Sequence, residues 1–180
     1  MLIRREHPSD ADAIRALHQA AFAKPLAAPD AVPDVAEARL VDELRDDGDL
    51  VPECCLVAQA PGESLIVGHV AVSRSTVGGV PGPFALGPLG VEPARHRTGI
   101  GSALMHAVIA AADAMGAPAI VLLGHPDYYP RFGFEPAVRH GITPPGPWGP
   151  EFFMVRRLTA WPSLRPGAFR YAPAFERLEG

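Results

Sequence analysis

The chain has 180 residues, 48% hydrophobic and 20% charged, and a net charge of -4 at pH 7. That length buries a core in one ordinary domain, and the composition excludes a disordered chain. The acidic balance offers no footprint for nucleic acid, and no apolar run approaches the roughly 20 residues that span a bilayer, so neither a nucleic acid nor a membrane is an expected partner. The start, Met1 to Glu6, lacks a signal-peptide core, which makes the cytoplasm the expected location.

Leu2 to Arg5 reads as an edge strand. Ser9 is expected to cap a helix, with Asp12 three residues on and Ile14, Leu17, Ala21 and Phe22 as its inward stripe. Lys24 to Pro33 is a Pro/Ala loop, either a lid or a plain connector. Asp34 and Glu37 then open a helix with Leu40, Val41 and Leu44 inside, closed by Asp46-Asp47-Gly48. Cys54 to Ala60 and Ser64 to Val77 are expected strands joined by a turn at Pro61-Gly62-Glu63. Adjacent cysteines in a strand point to opposite faces, so Cys54 and Cys55 are expected as buried small hydrophobes, not as a disulfide. No pair among the seven histidines or the cysteines has ligand spacing, and no metal is expected.

Gly78-Gly79 and Pro81-Gly82-Pro83 turn into the stretch from Leu86 to Met115, which reads as strand, Gly-containing loop and helix. Ile100, Leu104, Ala107, Val108, Ala111 and Met115 form a helical stripe, stopped by Gly116 and Pro118. The helix thus begins near Gly99 and Gly101, where free amides and the positive end of the dipole suit a phosphate. Alone, the two glycines fit a phosphate cradle or merely a tight turn; the pattern is neither a Walker loop nor a dinucleotide fingerprint. Val121 to Pro136 follows as strand, short helix and strand. Gly141 to Pro150 is too rich in proline for a central strand or helix; its Trp148 either stacks on a substrate or pins its own loop. Glu151 to Leu158 is a last strand, giving a domain over 1–158 and an irregular tail, 159–180, packed on it. The alternation of elements makes the chain α+β with a mixed sheet.

Two segments carry a resemblance. Val91-x-Pro93 followed by His96-Arg97-Thr98-Gly99-Ile100-Gly101 and Ala103-Leu104 resembles the pyrophosphate-binding motif of the GNAT N-acetyltransferases. Leu123-Gly124-His125-Pro126-x-Tyr128-Tyr129-x-Arg131-Phe132-Gly133-Phe134 is similar to the YhbS-like branch of that family. The resemblance implies a three-layer fold, with a mostly antiparallel central sheet flanked by helices and splayed where acetyl-CoA binds. It also implies an N-acetyltransferase using acetyl-CoA, an amine acceptor, and compatibility with a homodimer.

Carried onto this sequence, the resemblance gives the pyrophosphate to the amides of Arg97, Thr98, Gly99, Ile100, Gly101 and Ser102; Arg95 and Arg97 either add charge there or are a solvated surface pair. His96 stands where the family has Gln or Arg. Leu89, Gly90 and Val91 would pair with the pantetheine arm from a strand bulged at Gly87, Pro88 and Gly90, and the Leu89 amide would stabilise the thioester oxyanion. Tyr129, four residues before Gly133, would protonate the departing sulfur, while Tyr128 would point elsewhere and pack. The general base is open. Ala85 stands where some relatives have Glu, and His69, His125, Asp127 and Glu92 qualify by location only. A non-catalytic CoA-binding module and a nucleotide-binding protein are the rival readings.

Overall fold

In this computed structural model, residues 1–23, 35–62 and 64–178 are described. Along the chain run β1 (Leu2–Arg5), α1 (Ala11–Phe22), α2 (Ala36–Asp46), β2 (Leu56–Gln59) and β3 (Ile66–Ser73). The hairpin β4 (Thr76–Val77) and β5 (Val80–Pro81) leads to β6 (Phe84–Val91), α3 (Ile100–Ala114) and β7 (Ala119–Leu123). Then come β8 (Glu135–Pro136), β9 (Ile142–Thr143), β10 (Phe153–Arg157), β11 (Gly167–Arg170) and α4 (Ala174–Arg177).

The main sheet has seven strands in the order β1-β2-β3-β6-β7-β10-β8. Every pair is antiparallel except β6 with β7. That parallel contact holds only Phe84 against Ile120 and Ala85 against Val121, after which the two strands part. The period of two expected of a sheet covered on both faces is plain in β7 and β10. Ile120, Leu122 and Met154 face the core under α3, while Ala119, Val121, Phe153 and Val155 face the other way. On that second side α1 and α2 cover β2 and β3. The β7 and β10 half is covered by a smaller sheet, β5-β4-β11-β9.

The expected α+β architecture holds, with local corrections. His7, not Ser9, caps the first helical segment: Pro8 takes the first helical position and the cap lies two residues earlier, where the His7 ring accepts the Ser9 amide at 3.2 Å and Asp10 accepts the His7 amide at 2.7 Å. α2 has Val35 at its N-cap; the Lys24 to Pro33 loop and the cap at Asp34 lie outside the described residues, as does Glu63. Cys54 and Cys55 precede β2, yet they pack into opposite cores as expected, and burial pushes their thiols up to about 11 and about 12. α3 is turned relative to its expected stripe: Met105 and Ala112 are buried and Met115 is exposed. An alanine-rich helix leaves its inward face to whichever larger side chains pack best. The largest correction is at the C-terminus. β10 is not the last strand, because the supposedly irregular tail forms β11, antiparallel to β4 and parallel to β9.

Candidate active site

The loop from Val91 to Gly99 crosses from the end of β6 to the start of α3. Two bonds hold its shape: the His96 ring lies 2.9 Å from the Val91 carbonyl, and the Thr98 hydroxyl donates to the Arg95 carbonyl at 2.6 Å. Arg97 and Gly99 both have left-handed backbone, φ 62° and 90°. Only at Gly99 is that conformation free of side-chain strain. The first helical bond is from the Ala103 amide to the Gly99 carbonyl, 2.9 Å. Among the described residues, no amide from Arg97 to Ser102 donates to a backbone carbonyl. Six donors at the positive end of a 15-residue helix are therefore not used by the backbone.

They open on a cleft of about 920 Å³. Of the expected cofactor residues, Leu89, Val91, His96, Arg97, Gly99, Ile100, Gly101 and Ser102 line it. Gly90 and Thr98 do not. Gly90 turns its open face to α1, where a Cβ would lie 2.8 Å from His18 Nδ1. Arg95 lines the cleft while paired with Glu92 at 3.2 Å, and exposed Arg97 makes no ion pair among the described residues. The strand entering the loop is bulged at Gly87 and Pro88 as expected, though not at Gly90, which pairs in register with His69: Val70 pairs with Leu89 and Val72 with Leu86, so Gly87 and Pro88 together face Ala71.

Tyr129 forms the far wall, on a short 3-10 turn, Tyr129–Phe132, ended by Gly133 at φ 80°. Its ring lies over Gly124, where any Cβ would overlap Tyr129 Cε2. Burial pushes its phenol up to about 12, so it carries its proton throughout the neutral range. Tyr128 packs against the core and Phe132 as expected, but it does not point elsewhere: it lines the same cleft, edge-on to Tyr129 at 5.0 Å. Its hydroxyl reaches to 3.0 Å from where a Cβ on Gly101 would stand. Arg131, which the sequence did not single out, lies 4.8 Å over the Tyr128 ring and also borders the cleft.

Among the base candidates, exposed His125 borders the cleft, and Ala85 is buried between β3 and β7. His69 is fully buried in a chain of hydrogen bonds. His69 Nε2 is 2.9 Å from Glu6, and its Nδ1 is 2.8 Å from His18 Nε2. Burial lowers the affinity of both imidazoles for protons, that of His18 to about 3. Burial alone would raise the Glu6 carboxyl, but His69 and Arg45 outweigh it and hold Glu6 below its usual value. With Glu6 ionised and both rings neutral, the protons are assigned in order: His69 Nε2–H donates to Glu6 and His18 Nε2–H to His69 Nδ1. His18 Nδ1 is left as a bare acceptor against Gly90, without a partner among the described residues. The chain lies on the face of β6 away from the cleft.

A strand that leaves its parallel neighbour after two residues, beside an open helix N-terminus and a buried phenol, defines a class of acyltransferase. Residues 13–134 match the Acetyltransferase (GNAT) family, and the chain belongs to that family of N-acetyltransferases. It is 36% identical to the uncharacterized N-acetyltransferase YjhQ of Escherichia coli K12 over 143 residues, 76% of this chain and 78% of that protein. It is similar to the crystal structure of YhbS from Escherichia coli in complex with CoA, at TM-score 0.86 and 34% identity, covering 98% of this chain and 92% of the other. A GNAT acetyltransferase from Brucella melitensis, in complex with acetyl-CoA, matches with TM-score 0.76 and 34% identity, covering 97% of each chain. Among the described residues no group of His, Cys, Asp and Glu is placed to hold a metal ion, and no helix is long and apolar enough to cross a membrane.

Proposed function

We propose that this protein transfers an acetyl group from acetyl-CoA to an amine by direct attack within a ternary complex. The observation that carries the reading is the junction, in one cleft, of Arg97 and Gly99 to Ser102, whose amides the backbone leaves unused, with Tyr129. The amides hold the pyrophosphate, Arg95 and Arg97 add charge at its rim, and the edge of β6 freed by the departure of β7 pairs with the pantetheine arm. Relatives of similar sequence hold CoA and acetyl-CoA, which supports the same ligand here.

The amine nitrogen attacks the thioester carbon, and negative charge gathers on its oxygen. The Leu89 amide faces that charge, a contribution of about 3 kcal/mol for one well-placed donor. As the carbon–sulfur bond breaks, Tyr129 gives its proton to the sulfur. Both cysteines are buried with raised thiol pKa values, which disfavours a covalent acetyl-enzyme.

Calorimetric titration with acetyl-CoA, CoA and ATP tests the cradle. Saturable binding of both CoA species and none of ATP is expected; a folded sample that binds none of them overturns the reading. Tyr129→Phe should lower kcat about a hundredfold and leave acetyl-CoA binding near normal. An undiminished rate would remove Tyr129 from the chemistry. Because Ala85 supplies no base, a CoA-binding module without turnover is the rival, and it predicts normal titration with no thiol release from any amine.

A further inference from the structure

A second cavity, of about 290 Å³, lies at the other mouth of the gap between β6 and β7. Leu86, Gly87 and Pro88 of the bulge border it on one side and Leu123, the last residue of β7, on the other. The next residue, Gly124, is the one that Tyr129 covers in the CoA cleft. The two hollows therefore approach one another where the thioester would sit. The second cavity is walled by Leu40, Trp148, Tyr171, Phe175 and Leu178. Its aromatic members belong to a ladder that continues through the core. Trp148 lies 6.4 Å from Phe153, Phe153 5.2 Å from Phe169, Phe169 4.7 Å from Tyr171, and Tyr171 is stacked on Phe175 at 4.3 Å. Among the described residues one carboxylate, Glu37 in the first turn of α2, lies on this wall, and it has no ion-pair partner among them.

We infer, on the basis of the acetyl transfer proposed above, that the acceptor is a compact monoamine with an aromatic or other apolar body, seated between Trp148, Tyr171 and Phe175 with its nitrogen drawn towards Glu37. Charge and shape both favour this class. A single carboxylate complements a single ammonium, and flat rigid walls reward an aryl group by area and by ring contact. A polyamine or an aminoglycoside would bring several cations to a wall whose other described side chains are aliphatic and aromatic and carry no charge, and would leave all but one cation without a carboxylate among the described residues. The transfer balances: the ammonium releases one proton to solvent before attack, its nitrogen takes the acetyl group and gives up a second proton, and that proton restores the one Tyr129 passes to the sulfur, so that CoA leaves as the thiol.

The test is thiol release at saturating acetyl-CoA with 2-phenylethylamine, ethylamine and spermidine on the full chain. The preference expected is for 2-phenylethylamine, by about a hundredfold in kcat/KM over ethylamine, which has the same nitrogen without the ring. Trp148→Ala should cut that ratio about tenfold, with the KM for acetyl-CoA and the melting temperature near those of the parent. Glu37→Gln should raise the amine KM for both monoamines alike. Spermidine as the better substrate, a ratio untouched by Trp148→Ala, or no turnover of 2-phenylethylamine overturns the inference, while CoA titration still stands or falls separately. Loss of CoA binding in the parent protein would instead bring down the function on which the inference rests.

Discussion

Gly124 lacks a side chain where Tyr129 needs the space, so its substitution reports on the phenol without touching it. Gly124→Ala should displace the ring and lower kcat at least about tenfold, with acetyl-CoA titrating as in the parent. Unchanged turnover would show that the ring does not act from this position. The place of Tyr129 on the cleft wall was legible through the resemblance, which puts a Tyr four residues before Gly133. Tyr128 packs against the core as expected, but its direction was misjudged: it ends a turn closed on the His125 carbonyl just before the 3-10 segment, and both rings reach the cleft. The buried His18 was not legible at all. It sits beside Leu17 at the edge of an ordinary helical stripe, and its partner His69 is 51 residues away. Nothing local distinguishes such a histidine from a surface one. Gly90 looked like part of a bulge, yet its lack of a side chain makes room for that same ring.

At the scale of elements, β11 is the strand that the sequence hid. Its four residues lie among Pro162, Pro166 and Pro173, and β9, one of its two partners, is only two residues long. Periodicity cannot register in runs so short. Phe169 shows what the strand contributes, since it is fully buried between Phe153 and Tyr171. Phe169→Ala should destabilise the fold by about 3 to 5 kcal/mol, measured as a lower urea midpoint. A shift below about 1 kcal/mol would mean that the second sheet is dispensable to the core. α2 and α3 were easier: glycines follow the end of α2 and flank both ends of α3, and their cores repeat at helical spacing over 11 and 15 residues. What the α3 sequence left undetermined was its rotation, because alanine on nearly every face gives no strong preference.

The molecule as a whole depends on keeping two imidazoles uncharged. In the unfolded chain a histidine takes up a proton near pH 6.5, but folded His18 resists protonation down to about 3 and His69 is shifted the same way. The unfolded state thus binds more protons below pH 6.5, and stability falls as the pH falls through that window. Between pH 7 and pH 5 His18 alone should cost about 2 kcal/mol, read from urea midpoints. Glu6, whose pKa is lowered from 4.5, adds its loss only at lower pH. Equal midpoints at pH 7 and pH 5 would mean that the rings are not held neutral. The overall α+β layering was readable because motif order fixes which strand precedes which helix; the histidine chain was not, since it joins a loop, a helix and a strand that meet only after folding. The parting of β6 from β7 also bears on how the protein avoids its own kind. Unpaired strand edges invite neighbouring chains to add on and aggregate. Here the bare edge lies inside the sheet, with strands on both sides, in a slot that a single slender arm can enter but that another protein's sheet, bringing its own neighbouring strands, cannot.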